Sequence, residues 1–370
     1  AGFTSEMAEA RFFASEHRTD CPAHRPTNSQ VSPMKEEALP PASLRVIAEY
    51  HRERWEPLLT ALSSTHQSNS LLALGSPGCG VFEVLQWVYQ RLHCERPIES
   101  FPCLECPTCL RIDQERWPDL HWLSRPDASE PLGVDEVRAL KAKAGFGPSE
   151  AGAQHWVVVA HADRMTPQAA NALLKILEEP PKGWRLVLVA PDESLVLPTL
   201  VSRCLRVRFS SLTEPILLQV LLDQGIRSER ARSAARLAQG SLLRARAFSS
   251  DELWQKRELL IKFLAAPQAH HAALIEWASE DTLALEILLD QLEMFTRDLL
   301  EWSCGEPMPA SESQAILLAF GERNVRTYGA ERFRDRLFRI SENLSHQRRE
   351  LGTPINRKLV AQNLLAPWVT

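Results

Sequence analysis

Short apolar runs give the clearest structural signal in the chain. Three of them are rich in Val and Leu and bounded by turn residues, at Ser70–Leu74, Trp156–Ala160 and Leu186–Ala190, a pattern typical of strands buried on both faces. Between the last two, Pro167–Glu179 places apolar residues three and four positions apart, which predicts a helix with one buried stripe. Two consecutive prolines end this helix. Strand, helix and strand in this order predict a parallel crossover and therefore an α/β sheet.

Apolar positions at helical spacing dominate the rest of the chain. An amphipathic helix is predicted at Ala42–Ala61 and an exposed one at Val134–Ala144. Further helices are predicted at Glu214–Asp223, Glu229–Leu237, Leu242–Phe248, Asp251–Leu264, Thr282–Trp302, Glu312–Arg323, Ala330–Leu351 and Asn356–Leu365. By contrast, residues 1–44 are polar and proline-containing with no sustained period, which predicts a disordered tail.

The composition excludes several classes of function. Apolar residues make up 44% of the chain and charged residues 24%, which is ordinary for a soluble globular protein, and 370 residues favour two or three domains. No apolar run approaches the roughly 20 residues of a membrane span, and no signal peptide is recognised. A net charge of −5 argues against direct binding of nucleic-acid phosphates. Eight cysteines without a secretory signal favour reduced thiols or metal ligands, so the cytoplasm is the expected compartment.

A glycine-rich turn follows the first predicted strand. The spacing from Gly75 to Gly80, with Gly78 between them, fits the phosphate-binding P-loop that leads from a strand into a helix. The P-loop motif then requires Lys for the phosphates and Ser or Thr for Mg²⁺, and this chain has Val81 and Phe82 at those positions. Neither supplies a charge or a metal ligand. We therefore interpret the loop as a degenerate P-loop kept for packing, in preference to a working nucleotide site, and expect no ATP hydrolysis by this chain.

Four cysteines form the strongest local motif. The spacing of Cys94, Cys103, Cys106 and Cys109 allows four thiolates to close a tetrahedron around Zn²⁺ at about 2.3 Å each. A site with no open coordination position is structural, and it would hold a small insertion, at about residues 94–120, that has too little core to fold alone. The alternative is four buried or redox-active cysteines. Their regular spacing in a proline-broken turn favours the metal.

Two longer motifs resemble a known family. The run NALLKILEEPP at Asn171–Pro181, followed by LPTLVSRC at Leu197–Cys204, is similar to the AAA+ module of bacterial clamp-loader subunits of DNA polymerase III. The resemblance extends with gaps from about Ile47 to the C-terminus, and the two motifs together are highly specific. A zinc-binding module at this place in the chain, with all four cysteine ligands matched, is also what the resemblance implies.

The resemblance implies a domain organisation as well. An α/β AAA+ domain, with a RecA-like parallel sheet and helices on both faces, is expected at residues 45–210 and carries the zinc module. A small helical lid at 211–250 and an all-helical oligomerisation collar at 251–370 are expected to follow it.

Parts of an ATP-hydrolysing site are absent when the chain is compared with the family pattern. The two acidic positions at the end of the second predicted strand fall on Ala160 and His161, and neither side chain binds Mg²⁺ as a carboxylate does. The polar sensing residue expected after the third strand is replaced by Ala190 and Pro191. Where an active loader carries a second sensing arginine, Arg244 and Arg246 stand in this chain; an exposed helix face explains these two equally well.

Arg203, in the triplet Ser-Arg-Cys, matches the arginine finger of the family. Arginine is permanently charged and presents a rigid fork of donors suited to phosphate oxygens, and an arginine supplied in trans stabilises the charge that develops on a neighbour's γ-phosphate. The alternative is that Arg203 pairs with a local carboxylate on a surface loop. Lys175, Glu178 and Glu179 are expected to form a solvated helix face.

The resemblance therefore implies a non-hydrolysing subunit of the replicative clamp loader. Its expected partners are gamma/tau-type and delta-type subunits in a pentameric ring, and through that assembly the sliding clamp and primer–template DNA; no membrane is involved. Zn²⁺ is the expected structural cofactor. Two alternatives stay open: an independent AAA+ ATPase or ATP-binding gamma/tau-like subunit, and a zinc-dependent nucleic-acid-binding protein.

Overall fold

A computed structural model of the chain describes residues 41–63, 70–114, 116–124, 131–143, 155–181, 183–280, 282–309, 313–350 and 356–369. The tail predicted at residues 1–44 lies outside the described residues as far as position 40. The last four residues of the predicted tail, 41–44, lie in the first helix, which begins at Pro41.

A parallel sheet forms the centre of the first half of the chain. Its strands are β1 (Ser70–Leu74), β2 (Leu120–Leu123), β3 (His155–Val159), β4 (Trp184–Ala190) and β5 (Leu205–Arg208). They lie in the order β2-β3-β4-β1-β5, and all neighbouring pairs are parallel. The predicted parallel sheet is thus confirmed. The pattern of buried runs predicted β1, β3 and β4, which are buried throughout, whereas β2 and β5 are the edge strands and are partly exposed.

Helices account for most of the remaining described residues. They are α1 (Pro41–Tyr50), α2 (Arg52–Ser63), α3 (Val81–His93), α4 (Pro107–Asp113), α5 (Val134–Lys143), α6 (Pro167–Glu178), α7 (Pro198–Val201), α8 (Glu214–Asp223), α9 (Ser228–Leu237), α10 (Leu242–Ser249), α11 (Asp251–Ala265), α12 (Pro267–Ala278), α13 (Thr282–Ser303), α14 (Gln314–Tyr328), α15 (Ala330–Glu350) and α16 (Arg357–Val369). Within these described segments, no helix is long and apolar enough to cross a membrane.

Two of the predicted helices differ from the structure. The single helix predicted at Ala42–Ala61 is broken at His51 into α1 and α2, where the buried imidazole turns inward and its Nε2 donates to the Cys79 carbonyl at 2.8 Å. The helix predicted at Glu312–Arg323 is α14, which runs on to Tyr328. The sequence pattern predicted no helix at α12, because the alanines and histidines there form no clear apolar stripe.

The sheet is covered by helices on both faces. Because side chains alternate along a strand, Leu71 and Ala73 of β1 pack into the core that contains α3, and Leu72 and Leu74 pack into the opposite core that contains α6. The α3-side core continues without interruption into helices α8 to α16. The α/β part and the helical part are therefore joined by buried apolar contact.

Two buried aspartates on α13 tie the helical parts together. Asp290 binds Arg244 of α10 and, at 2.7 Å, Arg348 of α15. Asp298 binds Arg236 of α9. Removing one partner from a buried pair leaves an uncompensated charge, which is strongly destabilising. The three-helix unit, which we define as α8 to α10, is thereby held against the C-terminal bundle, defined as α11 to α16.

Candidate functional site

The glycine loop, residues 75–82, connects β1 to α3 at the carboxyl end of the sheet. The N–H of Gly75 donates to the carbonyl of Ala190 at the end of β4 at 3.1 Å, so the loop starts pinned to the neighbouring strand. The Cys79 side chain fills the inside of the loop, because a Cβ atom added to Gly75 would lie 2.5 Å from its sulfur. Burial raises the pKa of the Cys79 thiol to about 11. The thiol therefore stays protonated and uncharged at neutral pH.

The two positions that replace the P-loop Lys and Ser/Thr face the protein interior. Val81 is buried in the core against α3. Phe82 is half-buried, and its ring packs edge-on against Trp122 of β2 with centroids 5.9 Å apart. Both side chains thus contribute to packing.

The start of α10 closes over this loop. The N–H of Leu242 donates to the Gly78 carbonyl at 2.7 Å, and Ser241, whose hydroxyl caps α10 by accepting from the Arg244 N–H at 3.4 Å, lies directly against Gly78. An N-terminal helix turn is a favourable place for a phosphate, because its N–H groups lack partners within the helix. Here the loop's own carbonyl takes up one of those donors.

Substituting Gly78 by alanine should disturb this contact. Gly78 has φ of +79°, and an added Cβ would overlap Ser241 Oγ and lie 3.0 Å from the Leu243 nitrogen. We expect a loss of about 2–4 kcal/mol in the free energy of unfolding, roughly 1–2 from the left-handed backbone and the rest from displacement of α10. Urea unfolding measures it.

Gly225→Ala is the matched control. Gly225 has φ of +81° with nothing within 4 Å of an added Cβ, so it reports the backbone term alone, about 1–2 kcal/mol. Equal losses for the two variants would show that α10 does not press on the loop.

The strand-end positions matched to the acidic pair (Ala160 and His161) and to the polar sensing residue (Ala190 and Pro191) carry apolar or neutral side chains in this protein. Ala160 and Ala190 are buried, and Pro191 follows directly. Burial lowers the pKa of His161, although Asp163 opposes the shift, so the imidazole is uncharged at neutral pH. Asp163 pairs with its neighbour Arg164 at 3.6 Å.

Arg203 lies on the surface just after α7. Its side chain is 40% exposed, and its guanidinium binds Glu178 at the end of α6 with 2.8 Å between Nη2 and Oε1. Its Nη1 also donates to the Thr199 carbonyl at 3.0 Å. Sequence reasoning left a finger and a local ion pair open for Arg203. The structure shows the local pair in this chain, on an accessible surface.

The sequence did not predict the ion pair between Glu178 and Arg203, because the pattern assigns Glu178 to a solvated helix face. One available signal was its place beside Glu179 at the C-terminal end of α6. Carboxylates are disfavoured there by the helix dipole, so a nearby cation was to be expected.

Arg244 and Arg246, near the second sensing position, lie on α10. Arg244 is bound to Asp290 and its guanidinium lies over the Phe248 ring, 5.7 Å from the centroid. Arg246 is half-buried on the same helix. Arg244 therefore joins the three-helix unit to the C-terminal bundle.

The four predicted metal ligands come together. The Sγ atoms of Cys94, Cys103, Cys106 and Cys109 all lie within 4.8 Å of one another, with 3.5 Å between Cys94 and Cys103. Sulfurs bound to one Zn²⁺ at about 2.3 Å are about 3.8 Å apart in a tetrahedron. The N–H groups of the last three cysteines donate to the sulfur of the preceding one at 3.2, 3.3 and 3.4 Å. This donor set fits a tetrahedral metal ion.

Within the cluster, the surroundings lower the pKa of Cys103 and raise the pKa of Cys94 and Cys109. Burial raises the pKa of Cys103, but N–H donors from Glu105 and Cys106 and the thiols of Cys94 and Cys106 outweigh it, and the pKa falls to about 7. Burial raises the pKa of Cys109. A bound cation would favour the thiolate form of all four.

Phe101 anchors the cysteine-bearing loop to the rest of the protein. Its buried ring lies edge-on between Trp55 and Trp87, with centroid distances of 6.1 and 5.5 Å. The guanidinium groups of Arg45 and Arg52 lie over the same ring at 5.2 and 5.4 Å. The fold of this loop is therefore coupled to the packing of α1, α2 and α3.

A parallel sheet with helices on both faces, and a glycine loop leading from β1 into α3, place the chain in the architectural class of P-loop α/β proteins. A family model described as "DNA polymerase III, delta subunit" matches residues 50–213. DNA polymerase III subunit delta' of Bacillus subtilis is 28% identical over 256 residues, covering 67% of this chain and 76% of the relative. The subunit delta' of Pseudomonas aeruginosa is 26% identical over 314 residues, covering 82% and 92%.

Similarity extends to a second kind of subunit and to solved structures. DNA polymerase III subunit tau of Escherichia coli is 31% identical over 191 residues, covering 50% of this chain and 29% of the relative. A DNA polymerase III gamma subunit-related protein from Thermotoga maritima has a solved structure that is 20% identical, covers 85% of this chain and 98% of that chain, and has a TM-score of 0.42. The resemblance found in the sequence motifs is confirmed: the chain is similar to the delta' and tau subunits of DNA polymerase III.

Proposed function

We propose that this chain is a non-hydrolysing delta-prime-type subunit of the replicative clamp loader. In this proposal it supplies Arg203 in trans to ATP bound by an adjacent gamma/tau-type subunit, and a delta-type subunit completes a pentameric ring that loads the sliding clamp onto primer–template DNA. One observation carries the proposal: Arg203, the residue matched to the finger, lies on an accessible surface.

The absence of hydrolysis by the chain itself follows from chemistry at three places. Phosphoryl transfer needs a cation on the phosphates and a carboxylate-held Mg²⁺. Val81, Phe82, Ala160 and His161 supply neither. At the third place, Ala190 and Pro191 stand where a polar sensing residue is expected.

The contact between Arg203 and Glu178 is compatible with a finger. Both side chains are exposed, at 40% and 51%, and exposed ion pairs are typically worth only about 0.2–1 kcal/mol. A γ-phosphate offers more negative charge and a bidentate match to guanidinium. An incoming phosphate can therefore replace Glu178.

The other parts of the proposal concern organisation. We assign residues 45–210 to the AAA+ domain, 211–250 to a lid and 251–370 to a collar through which the ring assembles. A structural Zn²⁺ would be held by Cys94, Cys103, Cys106 and Cys109. Its only role would be to cross-link the cysteine-bearing loop.

Reconstitution tests the function as a whole. The chain alone is expected to show no magnesium-dependent ATP turnover, because it lacks the groups named above. Mixed with gamma/tau-type and delta-type subunits, it is expected to join one ring, in one copy, and to raise their ATP turnover. Native mass spectrometry and an ATPase assay measure the two results.

Three outcomes would contradict the proposal in different ways. Turnover by the chain alone, lost on changing the glycine loop, would favour an independent ATPase. Tight, salt-dependent DNA binding by the chain alone would favour a nucleic-acid-binding protein. Failure to join the ring would exclude a loader subunit.

A further inference from the structure

The C-terminal end of α6 carries an unusual charge arrangement. Glu178 is the last helical residue and Glu179 the residue after it, where the exposed carbonyl ends of the helix disfavour negative charge. Glu178 is offset by Arg203 at 2.8 Å. Glu179 is exposed and makes no ion pair with any residue in the described segments. Of these two adjacent acids, only Glu178 contacts Arg203.

Hydrogen bonds hold the Arg203 side chain back against its own chain, and the longest of them runs from Nη1 to the Ser202 hydroxyl at 3.5 Å. Glu178 Oε1 accepts from Nη2 at 2.8 Å, and the Thr199 carbonyl accepts from Nη1 at 3.0 Å. These acceptors lie on different elements, α6 and α7. The guanidinium is therefore held at a defined position and its charge is partly neutralised by a carboxylate.

We propose that Glu178 is a positioning residue. Its carboxylate holds Arg203 in an ion pair within this chain until the γ-phosphate of ATP on the adjacent subunit replaces the carboxylate as the partner of Arg203. This inference rests on the proposed function of Arg203. The carboxylate and the phosphate compete for the same donors, and the negative charge of Glu178 opposes the approaching phosphate. Glu178 thereby restrains Arg203, so that Arg203 leaves the ion pair only when nucleotide is bound to the adjacent subunit.

The restraint predicts that removing the charge of Glu178 makes the finger more effective. Glu178→Gln keeps an oxygen that can accept from Arg203 but removes the competing charge. In a reconstituted loader, kcat/KM for ATP at the adjacent site is expected to rise about 1.4- to 5-fold, the range that exposed ion pairs span. Glu179→Gln is the matched control, since it removes the same charge at the same helix end. It should leave kcat/KM unchanged, because Glu179 makes no ion pair with Arg203.

A double-mutant cycle separates this inference from the function on which it rests. If Glu178 acts through Arg203, Glu178→Gln has no effect in an Arg203→Ala background, because coupled residues are non-additive. An unchanged or lowered kcat/KM for Glu178→Gln, while Arg203→Ala is strongly impaired, would overturn the restraint by Glu178. The role of Arg203 as an arginine finger would still hold. An equal rise with Glu179→Gln would also overturn it, as a general charge effect. Full activity of Arg203→Ala would overturn the finger itself.

Discussion

Arg203→Ala is expected to abolish fast ATP hydrolysis at one site of a reconstituted loader while the ring still assembles. Arginine fingers contribute about 10³- to 10⁵-fold to kcat, so the site facing this chain should fall to its basal rate. A single-turnover experiment with preloaded ATP measures the change, as one fewer ATP hydrolysed per ring in the fast phase. Assembly should persist, because the exposed side chain of Arg203 contributes little to folding.

Arg206→Ala is the control for loss of a nearby positive charge. Arg206 lies on edge strand β5, is 58% exposed and pairs with Glu193 at 3.2 Å, so it resembles Arg203 in exposure and pairing. It should leave the fast phase intact. Arg203→Lys tests geometry separately, since lysine keeps the charge but lacks the planar fork, and only partial activity is expected. A full fast phase in Arg203→Ala would rule out the finger.

The sequence predicted the centre of the sheet well and its edges poorly, for a physical reason. Central strands are buried on both faces, so β1, β3 and β4 appear as continuous apolar runs. The edge strand β5 exposes Leu205, Arg206 and Arg208, and a partly exposed segment of four residues leaves no such run. The break at His51 was equally hidden, because the contact that this buried residue makes is with Cys79, far away in sequence.

The candidate site shows the same division. Residue identity and spacing were enough to predict the cysteine cluster, which the structure brings together, and to mark Val81 and Phe82 as departures from a P-loop. The bond from Leu242 to Gly78 and the pair of Arg203 with Glu178 join residues from separate elements. No local pattern reports such contacts, although two acids at the end of α6 gave a hint.

These long-range contacts give the glycine loop a structural role. The glycine loop is bonded to α10, and α10 is bonded through Arg244 to Asp290 of the C-terminal bundle. These two contacts therefore connect the sheet with the helical parts through the glycine loop. Arg203 lies between α7 and the edge strand β5 of the same sheet.

Removing metal from the cysteine cluster should have the largest effect on stability. We expect one Zn²⁺ per purified chain and its loss in Cys106→Ser or after chelation, since structural zinc supplies folding free energy directly. Without it the loop should release Phe101 from Trp55 and Trp87, and the melting temperature should fall by roughly 10 °C or more. Elemental analysis and calorimetry measure both. Cys304→Ser, at an exposed cysteine outside the cluster, should change neither. A metal-free chain with the same melting temperature before and after chelation would favour redox-active thiols instead.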